Sequence, residues 1–558
     1  MSTSYFFEDL ETSNTAANLW NTPRENPAGK VIHSGYLLKH SLNAETEDGL
    51  SKRYFTLQED YLVYRQSDDA ERVSSAMKVK YAKLVLPKAS ESEGYATEAR
   101  ISKFILKICF KNKFSLLYAT SQVDYDAWIA ALTKVMTRSD VHDRFHGEKP
   151  IGAGAFAQVL KVREKLTGVY YAVKGFNKSN VLQSESGREA LWNEIEMLRK
   201  VQGRPNVIAL HEVHETKNSV YLVMDYVEGG DLSEFISKNK KIPEAVIRSI
   251  VCGILKGLEG LVEESIYHRD LKPANIMLKQ TNNIIPEDVV IVDFGLAATS
   301  YDSNPIFKRC GTPGYIAPEV ISMKNDNKLF QIPSKCDIYS TGVIMHMLCT
   351  GTNLFDKTEY DGNTILKKNL MSKVDFPSQV FSKLSEKCNL VVKGLIQTEP
   401  SQRLTLRQAI NLMTSGSKLK DLNASTSIVQ EYSAKINGFV LKPQFNSNPG
   451  FINVLDVIIE SDKEKDVQHI NLEDKLPLIF TKQTSSTFIS PKMNKFTANN
   501  SSATTDNTPQ SNLKFIPSDR NDKCSDMASK LKLKQYLFDQ SMASRINNRA
   551  DLSSIKEQ

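Results

Sequence analysis

The most constraining feature of this 558-residue chain is the polar run His268-Arg269-Asp270-Leu271-Lys272-Pro273-Ala274-Asn275, which is followed by Asp293-Phe294-Gly295. A reaction between a hydroxyl group and a phosphate needs a carboxylate that orients the hydroxyl, and Asp270 suits that role. It also needs a cation, which Lys272 offers, and oxygen ligands for Mg²⁺, which Asn275 and Asp293 offer. The apolar run before Asp293 predicts a strand that delivers its carboxylate. The stretch therefore predicts a phosphoryl-transfer site.

A glycine-containing run lies upstream, at the start of an αβ pattern: Ile151-Gly152-Ala153-Gly154-Ala155-Phe156-Ala157-Gln158-Val159. Glycines allow the backbone to approach phosphate groups closely and to direct amides at them. The predicted strand Tyr171-Ala172-Val173-Lys174 ends in a lysine, and Glu194 on the next predicted helix is its expected ion-pair partner. Glu196 is the rival partner. It lies about 200° around the helix from Glu194, so only one of the two can face Lys174.

Taken in this order, the motifs H-R-D-L-K-P-x-N and D-F-G resemble those of eukaryotic protein kinases, over residues 149–413. The resemblance implies a bilobal fold that uses ATP and Mg²⁺, in which Lys174 holds the α- and β-phosphates. It also implies that Asp270 orients the substrate hydroxyl and accepts its proton, while Lys272 stabilises the transferred phosphoryl group. The catalytic residues implied in this way are Asp270, Lys272, Lys174 and Glu194, and the implied metal ligands are Asn275 and Asp293.

The resemblance also implies which residues surround the nucleotide. The run Val220–Asp231 is typical of a buried strand that leads into a hinge, where Met224 would limit the back pocket. The backbone of Asp225 and Val227 would bond the adenine edge, and Asp231 would face the ribose or a basic substrate residue. The full set expected to contact ATP is Ile151, Gly152, Gly154, Val159, Ala172, Lys174, Met224, Asp225, Val227, Asp231 and Met277.

Further motifs narrow the resemblance. Lys272 together with Gly311-Thr312 matches serine/threonine kinases and not tyrosine kinases, and the surrounding sequence is most similar to the calcium/calmodulin-dependent group. Kinases of this kind imply a buried ion pair between Glu319 and Arg403. They also imply that Asp337 anchors the catalytic loop from a buried helix.

The activation segment, from Asp293 to Glu319, is unusual at one position. Many kinases carry a phosphorylatable residue four positions before the threonine of the G-T-P motif, and Lys308 stands there. A lysine cannot be phosphorylated, and it would repel Arg269, the residue that receives such a phosphate. Either Thr299 or Ser300 reaches Arg269 from upstream, or packing orders the segment. We expect the second outcome.

Short strands rich in aromatic and β-branched residues precede the kinase-like region, including one predicted over residues 78–86. A helix with a central tryptophan is predicted from Gln122 to Met136. This pattern resembles the pleckstrin homology domain and implies a barrel capped by the helix. The matching runs are Gly35-Tyr36-Leu37-Leu38-Lys39, Lys52-Arg53-Tyr54-Phe55-Thr56-Leu57 and Asp124-Tyr125-Asp126-Ala127-Trp128.

The sequence leaves two classes of ligand open for that domain. Some pleckstrin homology domains bind phosphoinositides through basic residues near the first two strands, and Lys39 and Arg53 match that pattern. Ser51 stands at the other basic position, and the acidic residues of the intervening loop would repel phosphate. A protein ligand, or packing on the kinase domain of the same chain, is therefore the alternative.

Composition sets the outer bounds. The net charge of +6 is small for this length and argues neither for nor against a nucleic acid or a membrane. The motifs point to protein substrates, and no nucleic-acid partner is expected. The seven scattered cysteines predict reduced thiols and not a disulfide framework. The first residues lack a signal-peptide pattern, and no uncharged apolar run approaches the roughly 18 residues that would span a bilayer. We expect a cytoplasmic protein whose membrane contact is peripheral.

The predicted fold class is α+β and multidomain: a small β-barrel with a C-terminal helix, a bilobal kinase fold and a largely disordered tail. The expected ranges are a flexible lead at 1–30, the pleckstrin homology domain at 31–138, a linker at 139–147, the kinase domain at 148–414 and the tail at 415–558. Within the tail, residues 526–546 have a basic amphipathic pattern that suits a calmodulin-like partner, an acidic membrane or the kinase itself. A solvated helix or disorder is the alternative.

These patterns predict a serine/threonine protein kinase that transfers the γ-phosphoryl group of Mg-ATP to serine or threonine of protein substrates in intracellular signalling. One rival is a pseudokinase scaffold, which has no chemical need to keep Lys174, Glu194, Asp270, Asn275 and Asp293 together. A second rival is a lipid-membrane adaptor in which the kinase is incidental.

Overall fold

The computed structural model describes residues 6–7, 19–23, 26–27, 29–40, 49–87, 104–110, 113–153, 157–182, 185–302, 305, 307–323, 335–355, 362–371, 374–414 and 479–480. They belong to two compact units, one ending at Glu228 and one beginning at Gly229. Gly154, the acidic loop before Gly49 and the candidate tail helix at 526–546 lie outside the described residues. None of the described helices combines the length and the apolar character needed to cross a membrane.

The first unit begins with an antiparallel sheet covered by one helix. The elements are β1 (Val31–His40), β2 (Leu50–Gln58), β3 (Tyr61–Arg65), β4 (Ser75–Lys78), β5 (Lys83–Val85), β6 (Ile105–Phe110), β7 (Lys113–Tyr118) and α1 (Gln122–Thr133). The strand order is β4-β3-β2-β1-β7-β6-β5. Ser121 caps α1 by accepting the N–H of Asp124 at 3.1 Å. Trp128 of α1 is buried in the core, with its ring edge-on to Phe55.

The strand predicted over residues 78–86 is wrong, because the chain breaks there into β4 and β5. A turn separates the two strands, closed by the N–H of Ala82 donating to the carbonyl of Val79 at 2.9 Å. Tyr81 lies within this turn in the left-handed region, with φ of 63°. An L-residue with a side chain this large rarely adopts that conformation, so local sequence preference gave no signal for the break.

A second group of strands completes the first unit. Its elements are β8 (Thr137–Arg138), α2 (Val141–Arg144), β9 (Phe145–Ala153), β10 (Ala157–Glu164), β11 (Tyr170–Asn177), α3 (Lys178–Val181), α4 (Glu185–Lys200), β12 (Leu210–Glu215) and β13 (Ser219–Asp225). They extend the sheet in the order β8-β12-β13-β11-β10-β9. The α+β class is as predicted.

β8 joins the two groups of strands into one sheet. Thr137 pairs in parallel with Lys83 of β5 on one side and with Val213 of β12 on the other. The residues that follow, expected to be a linker, are structured, because Val141 and Phe145 are buried against β10 and β11. The sheet therefore runs without a break from the N-terminal strands to β9.

Charged residues beneath this junction form a connected network. Arg144 contacts Glu164 and Glu212 at 2.5 Å each, and Glu212 also bonds Nε2 of the fully buried His214 at 2.6 Å. Burial acts to raise the pKa of Glu212. The hydrogen bonds from His214 and Arg144 outweigh burial and lower that pKa from 4.5 to about 2.

This network should make the first unit sensitive to acid. A carboxyl group whose pKa is lower in the folded state stabilises the fold above its unfolded pKa and loses that contribution as the pH falls through the folded pKa. We therefore expect the free energy of unfolding to drop between about pH 4.5 and pH 2, and the drop to be smaller in Glu212→Gln. Denaturant unfolding at several pH values measures this, with the exposed Glu59→Gln as the control. Equal acid dependence in Glu212→Gln and wild type would contradict the assignment.

The second unit is mainly helical. Its helices are α5 (Leu232–Lys238), α6 (Glu244–Glu263), α7 (Pro318–Ile321), α8 (Cys336–Thr350), α9 (Gly362–Met371), α10 (Ser378–Phe381), α11 (Glu386–Leu395) and α12 (Leu406–Thr414). Its short strands are β14 (Ile266–Tyr267), β15 (Ile276–Leu278), β16 (Val289–Ile291), β17 (Ala298–Thr299), β18 (Cys310–Gly311) and β19 (Ile479–Phe480). The pairs are β14 with β17, β15 with β16 and β18 with β19. Two 3₁₀ turns, Pro273–Asn275 and Pro286–Asp288, precede β15 and β16.

Candidate active site

Three strands of the first unit bring residues predicted to contact the nucleotide to one face. β11 lies between β10 and β13, with Lys174 opposite Val159 and Ala172 opposite Met224. Residues directly opposite each other in antiparallel strands share a face, and so do alternate residues of one strand. Val159, Ala172, Lys174 and Met224 therefore lie on the same face of the sheet.

The other predicted nucleotide residues of this unit lie close to that row. Gly152 of β9 is opposite Val159. Ile151 precedes Gly152 on β9, Asp225 ends β13 and Val227 follows it as a buried residue.

Helix α4 supplies the partner of Lys174. The Nζ atom of Lys174 lies 2.5 Å from Oε1 of Glu194, which is 5% exposed. Ile195 and Leu198 are buried beside it and hold this face of the helix inward. The predicted ion pair is present. The rival Glu196 bonds Lys80 instead, at 3.1 Å, because it projects from another side of α4.

In the second unit, one buried carboxylate fixes the loop that carries Asp270. Asp337, near the start of α8, accepts the backbone N–H of His268 at 2.7 Å and that of Arg269 at 2.8 Å. Two such bonds hold Arg269 in the left-handed region, with φ of 66°. The predicted anchoring by Asp337 is therefore present.

His268 adds a second support to this loop. Its Nε2 lies 3.0 Å from the carbonyl oxygen of Val292, and its Nδ1 accepts the N–H of Asp270 at 3.3 Å. These partners require a neutral ring with its proton on Nε2. The buried His268 therefore ties the backbone of Asp270 to the residue just before Asp293.

The side chain of Asp270 lies in a triangle of polar groups. Nζ of Lys272 is 2.9 Å from Oδ2 of Asp270 and donates to Oγ1 of Thr312 at 3.0 Å. The hydroxyl of Thr312 donates to Oδ1 of Asp270 at 2.6 Å. Because each oxygen of the carboxylate is bound, its plane is fixed. Thr312 is not among the predicted site residues, although Gly311-Thr312 is one of the motifs that carry the resemblance.

Gly311 allows Thr312 to approach the loop. Its φ of +128° is one that residues with side chains rarely adopt. A Cβ atom added there would lie 2.9 Å from the carbonyl oxygen of Arg269 and 3.0 Å from Ile316. Any side chain at this position would thus push the activation segment away from Asp270.

The predicted metal ligands flank one two-stranded ladder. Asn275 precedes β15 and Asp293 follows β16, so both lie at the same end of the antiparallel pair, where the N–H of Val292 donates to the carbonyl of Asn275 at 3.0 Å. Nδ2 of Asn275 donates to the carbonyl of Asp270 at 2.8 Å, which turns the amide oxygen the other way. Asp293 is exposed. An amide oxygen beside an exposed carboxylate is a donor set that fits Mg²⁺.

Asp231 and Met277, the remaining predicted nucleotide residues, are neighbours in the second unit. They form an isolated antiparallel bridge. Asp231 is the N-cap of α5, where its Oδ1 accepts the N–H of Glu234 at 2.9 Å. This capping gives Asp231 a structural role, and its contact with ribose or with a basic substrate residue stays a prediction.

Family comparisons agree with this geometry. The family described as "Protein kinase domain" matches residues 145–413, and "PH domain" matches residues 31–137. Mouse Death-associated protein kinase 2 is 34% identical over 272 residues, which are 48% of this chain and 71% of the relative.

The chain belongs to the serine/threonine protein kinases.

Two other relatives match over a similar number of residues. Mouse Serine/threonine-protein kinase DCLK3 is 32% identical over 50% of this chain and 33% of its own length. Calcium-dependent protein kinase 4 of Plasmodium falciparum is 35% identical over 50% of this chain and 51% of its own length. The aligned part of this chain thus covers about a third of the first of these relatives and about half of the second. A kinase domain implies protein substrates and the use of ATP and Mg²⁺, and a PH domain implies a lipid or protein ligand.

The predicted ion pair that closes the activation segment of this kinase is present and bidentate. Nη1 and Nη2 of the fully buried Arg403 lie 2.8 and 3.0 Å from the two carboxylate oxygens of Glu319. The same guanidinium donates to the carbonyls of Lys335, Gln397 and Thr398. Arg403 therefore joins α7, α8 and the turn after α11.

Upstream in the activation segment, backbone pairing buries one hydroxyl of the kinase. Thr299 is 5% exposed and pairs with Ile266 in the β14–β17 ladder. The N–H of Ser300 donates to the carbonyl of Ser265 at 2.7 Å. Nε of Arg269 donates to the carbonyl of Leu296 at 2.8 Å, a contact that involves no phosphate.

These contacts support the expectation that packing orders this segment. We expect kinase stripped with phosphatase to keep most of its activity, within about 2-fold of untreated kinase, because Thr299 is inaccessible and Lys308 cannot be phosphorylated. The initial rate with a serine-containing peptide measures this, with Thr299→Ala/Ser300→Ala as the companion variant. A large loss in either sample would show that phosphorylation of this segment governs the kinase.

Lys39, one of the two predicted lipid-binding residues of the PH domain, lies between aromatic rings. Nζ of Lys39 is 5.2 Å from the ring centroid of Trp20 and 5.0 Å from that of Tyr64, and burial lowers the pKa of Lys39. Trp20 is held by its Nε1 donating to Ser115 at 3.0 Å. Arg53 donates to the carbonyl of Lys52 at 2.8 Å. The ammonium of Lys39 is thus engaged by the chain's own Trp20.

Proposed function

We propose that the protein transfers the γ-phosphoryl group of Mg-ATP to serine or threonine hydroxyls of protein substrates. The observation that carries this proposal is the fixed carboxylate of Asp270, which is bonded to Lys272 and Thr312. A carboxylate held at both oxygens can present one defined acceptor to an incoming hydroxyl with little reorganisation. Nζ of Lys272 lies 2.9 Å from Oδ2 of Asp270. From there it would neutralise charge on the group being transferred.

The residues that we assign to ATP and Mg²⁺ belong to the two units described above. Lys174, oriented by Glu194, would hold phosphate oxygens, and the row formed by Val159, Ala172 and Met224 would contact adenine. Asn275 and Asp293 would hold Mg²⁺, which when bound neutralises phosphate charge. Asp270 orients the substrate hydroxyl and accepts its proton late, when the bond to the leaving group is already weak.

The test is a phosphotransfer assay on the full chain. Purified protein is incubated with Mg-ATP labelled in the γ-phosphate and a peptide library with a fixed central serine, threonine or tyrosine. We expect label on serine and threonine peptides and little on tyrosine peptides. No transfer to any peptide, with ATP still bound, would instead favour the pseudokinase scaffold.

For the PH domain, we propose that the ligand is a protein and not a phosphoinositide, because the rings of Trp20 and Tyr64 already contact the ammonium of Lys39. We expect wild-type protein to sediment weakly with vesicles that contain 5% phosphoinositide. Trp20→Ala should bind them several-fold more strongly, since it exposes the ammonium of Lys39. Strong sedimentation of the wild type that is lost in Lys39→Ala would contradict the proposed preference for a protein ligand. It would support peripheral recruitment to membranes from the cytoplasm.

The calmodulin-like partner rests only on the sequence pattern of residues 526–546. It stays a prediction, as do the domain limits 31–138, 148–414 and 415–558. Deleting residues 415–558 tests the role of the tail. If the shortened protein keeps the activity of the full chain and binds calcium-loaded calmodulin no less than the full chain does, the alternative of a solvated helix or disorder is supported.

A further inference from the structure

The side of α4 that faces away from Lys174 contacts the PH domain. Nζ of Lys80 lies 3.1 Å from Glu196, and the hydroxyl of Tyr81 donates to the same carboxylate. Glu194 and Glu196 are two residues apart, about 200° around the helix. One carboxylate is therefore held by the nucleotide-binding lysine, and the other by the turn between β4 and β5.

Aromatic packing strengthens this contact. The ring of Tyr81 lies 4.1 Å from that of Trp192 on α4 and is stacked on Phe7 with centroids 4.9 Å apart. The guanidinium of Arg199 lies 4.5 Å above the Tyr81 ring, and its Nη2 donates to the carbonyl of Met136 at 3.1 Å. We call Phe7, Tyr81, Trp192, Glu196 and Arg199 the Tyr81 cluster.

The N-terminal segment closes this contact from the other side. Phe6 and Phe7 are both buried, and the N–H of Phe6 donates to Glu215. Glu215, at the end of β12, is paired with Lys178 at 2.5 Å. The two phenylalanines thus connect β12 with α4 and Tyr81, although all three are distant from Phe6 and Phe7 in the sequence.

The conformation of Tyr81 indicates that its position is specific. A tyrosine at φ of 63° lies in the left-handed region, which is disfavoured for a residue with a bulky side chain. Such a conformation persists only where surrounding contacts stabilise it, and the side chain of Tyr81 makes these contacts with α4 and with Phe7. Tyr81 as a residue is 7% exposed, so almost all of its surface is covered by packing.

We propose that Tyr81 is a positioning residue for phosphotransfer, holding α4 through the Tyr81 cluster so that Glu194 stays paired with Lys174. The inference rests on the proposed function, and it makes the PH domain a part of the catalytic apparatus in cis. Loss of the cluster frees α4 to move away from β11, which lowers the affinity for ATP and the rate together.

The first test replaces Tyr81 in the full chain. Tyr81→Ala should lower kcat/KM for ATP on the order of 10-fold, a size typical of coupling through packed side chains. Tyr81→Phe, which keeps the ring and loses one hydrogen bond, should lower it by about 2-fold. Tyr54→Ala is the matched control, because Tyr54 contacts Ser34 and Tyr36 within the PH domain. Wild-type kcat/KM, or a rise, in folded Tyr81→Ala would overturn the inference.

A charge swap keeps the inference testable should Tyr81→Ala fail to fold. Lys80→Glu and Glu196→Lys should each lower kcat/KM, while the double variant restores part of the loss by re-forming the pair in reverse; Asp60, 3.3 Å from Nζ of Lys80, keeps the rescue incomplete. Independent, additive losses would overturn the inference.

Hydrogen exchange separates this inference from the proposed function. Amides of residues 185–200 should exchange faster in Tyr81→Ala than in wild type, and the affinity for a fluorescent ATP analogue should fall. Neither measurement needs turnover. If the wild-type chain transfers no phosphate, the proposed function fails while these two readouts still decide the inference, and unchanged values in both would overturn it.

Discussion

Replacement of Asp270 by asparagine is expected to lower kcat by about 10³-fold, within the range that a positioned acid–base group contributes. The asparagine keeps the shape of the side chain, and it can still bond Thr312. It cannot accept the substrate proton, and it no longer pairs with Lys272 at 2.9 Å. The initial rate at saturating Mg-ATP with a serine peptide measures this effect, and the affinity for ATP should change little.

Asp375→Asn is the matched control for that experiment, because Asp375 is an exposed carboxylate of the same unit. Its rate should equal that of wild type. Asp375→Asn should unfold at the wild-type denaturant concentration, and Asp270→Asn at a lower one that still leaves it folded under assay conditions, because the buried Lys272 loses its charged partner. Turnover near the wild-type value in Asp270→Asn would disprove the assignment of Asp270.

Replacement of Arg403 by methionine should cost about 3–5 kcal/mol in the free energy of unfolding, the range measured when one partner of a buried ion pair is removed. Glu319 would lose both of its bonds to the guanidinium. The carbonyls of Lys335, Gln397 and Thr398 would lose their donor as well. Denaturant unfolding, followed by the fluorescence of an ATP analogue bound to the kinase, measures this loss.

Arg407→Met supplies the comparison, because Arg407 is an exposed arginine on α12 of the same unit. We expect a change of no more than about 0.5 kcal/mol there. A double variant, Glu319→Gln/Arg403→Met, should recover part of the loss, since it leaves no unpaired charge. Equal stability of Arg403→Met and wild type would mean that the pair contributes nothing to the fold.

Much of the candidate site could be predicted because its residues act through local motifs. The helical angle allows only one of Glu194 and Glu196 to face Lys174, and the spacing of the kinase motif favours Glu194. Asp337 and Arg403 follow from motifs that carry buried charge, and a buried charge requires a partner. These predictions needed only the order of motifs along the chain.

The partners of Tyr81 could not be predicted in this way. Tyr81 and Glu196 are 115 positions apart, and nothing in either neighbourhood marks the other. The turn that carries Tyr81 interrupts a run whose composition is typical of a continuous strand. Trp20 lies over Lys39 for the same kind of reason, because tertiary packing selects the ring that covers a cation. Only the folded chain reveals such contacts.

The parallel pairing of β8 has a consequence for the kinase region taken alone. The match to the kinase family begins at residue 145, after β8 has ended. A fragment starting there would leave β12 as an edge strand with unpaired N–H and C=O groups. Such edges recruit strands from other molecules, so the fragment should self-associate at concentrations where the full chain stays monodisperse.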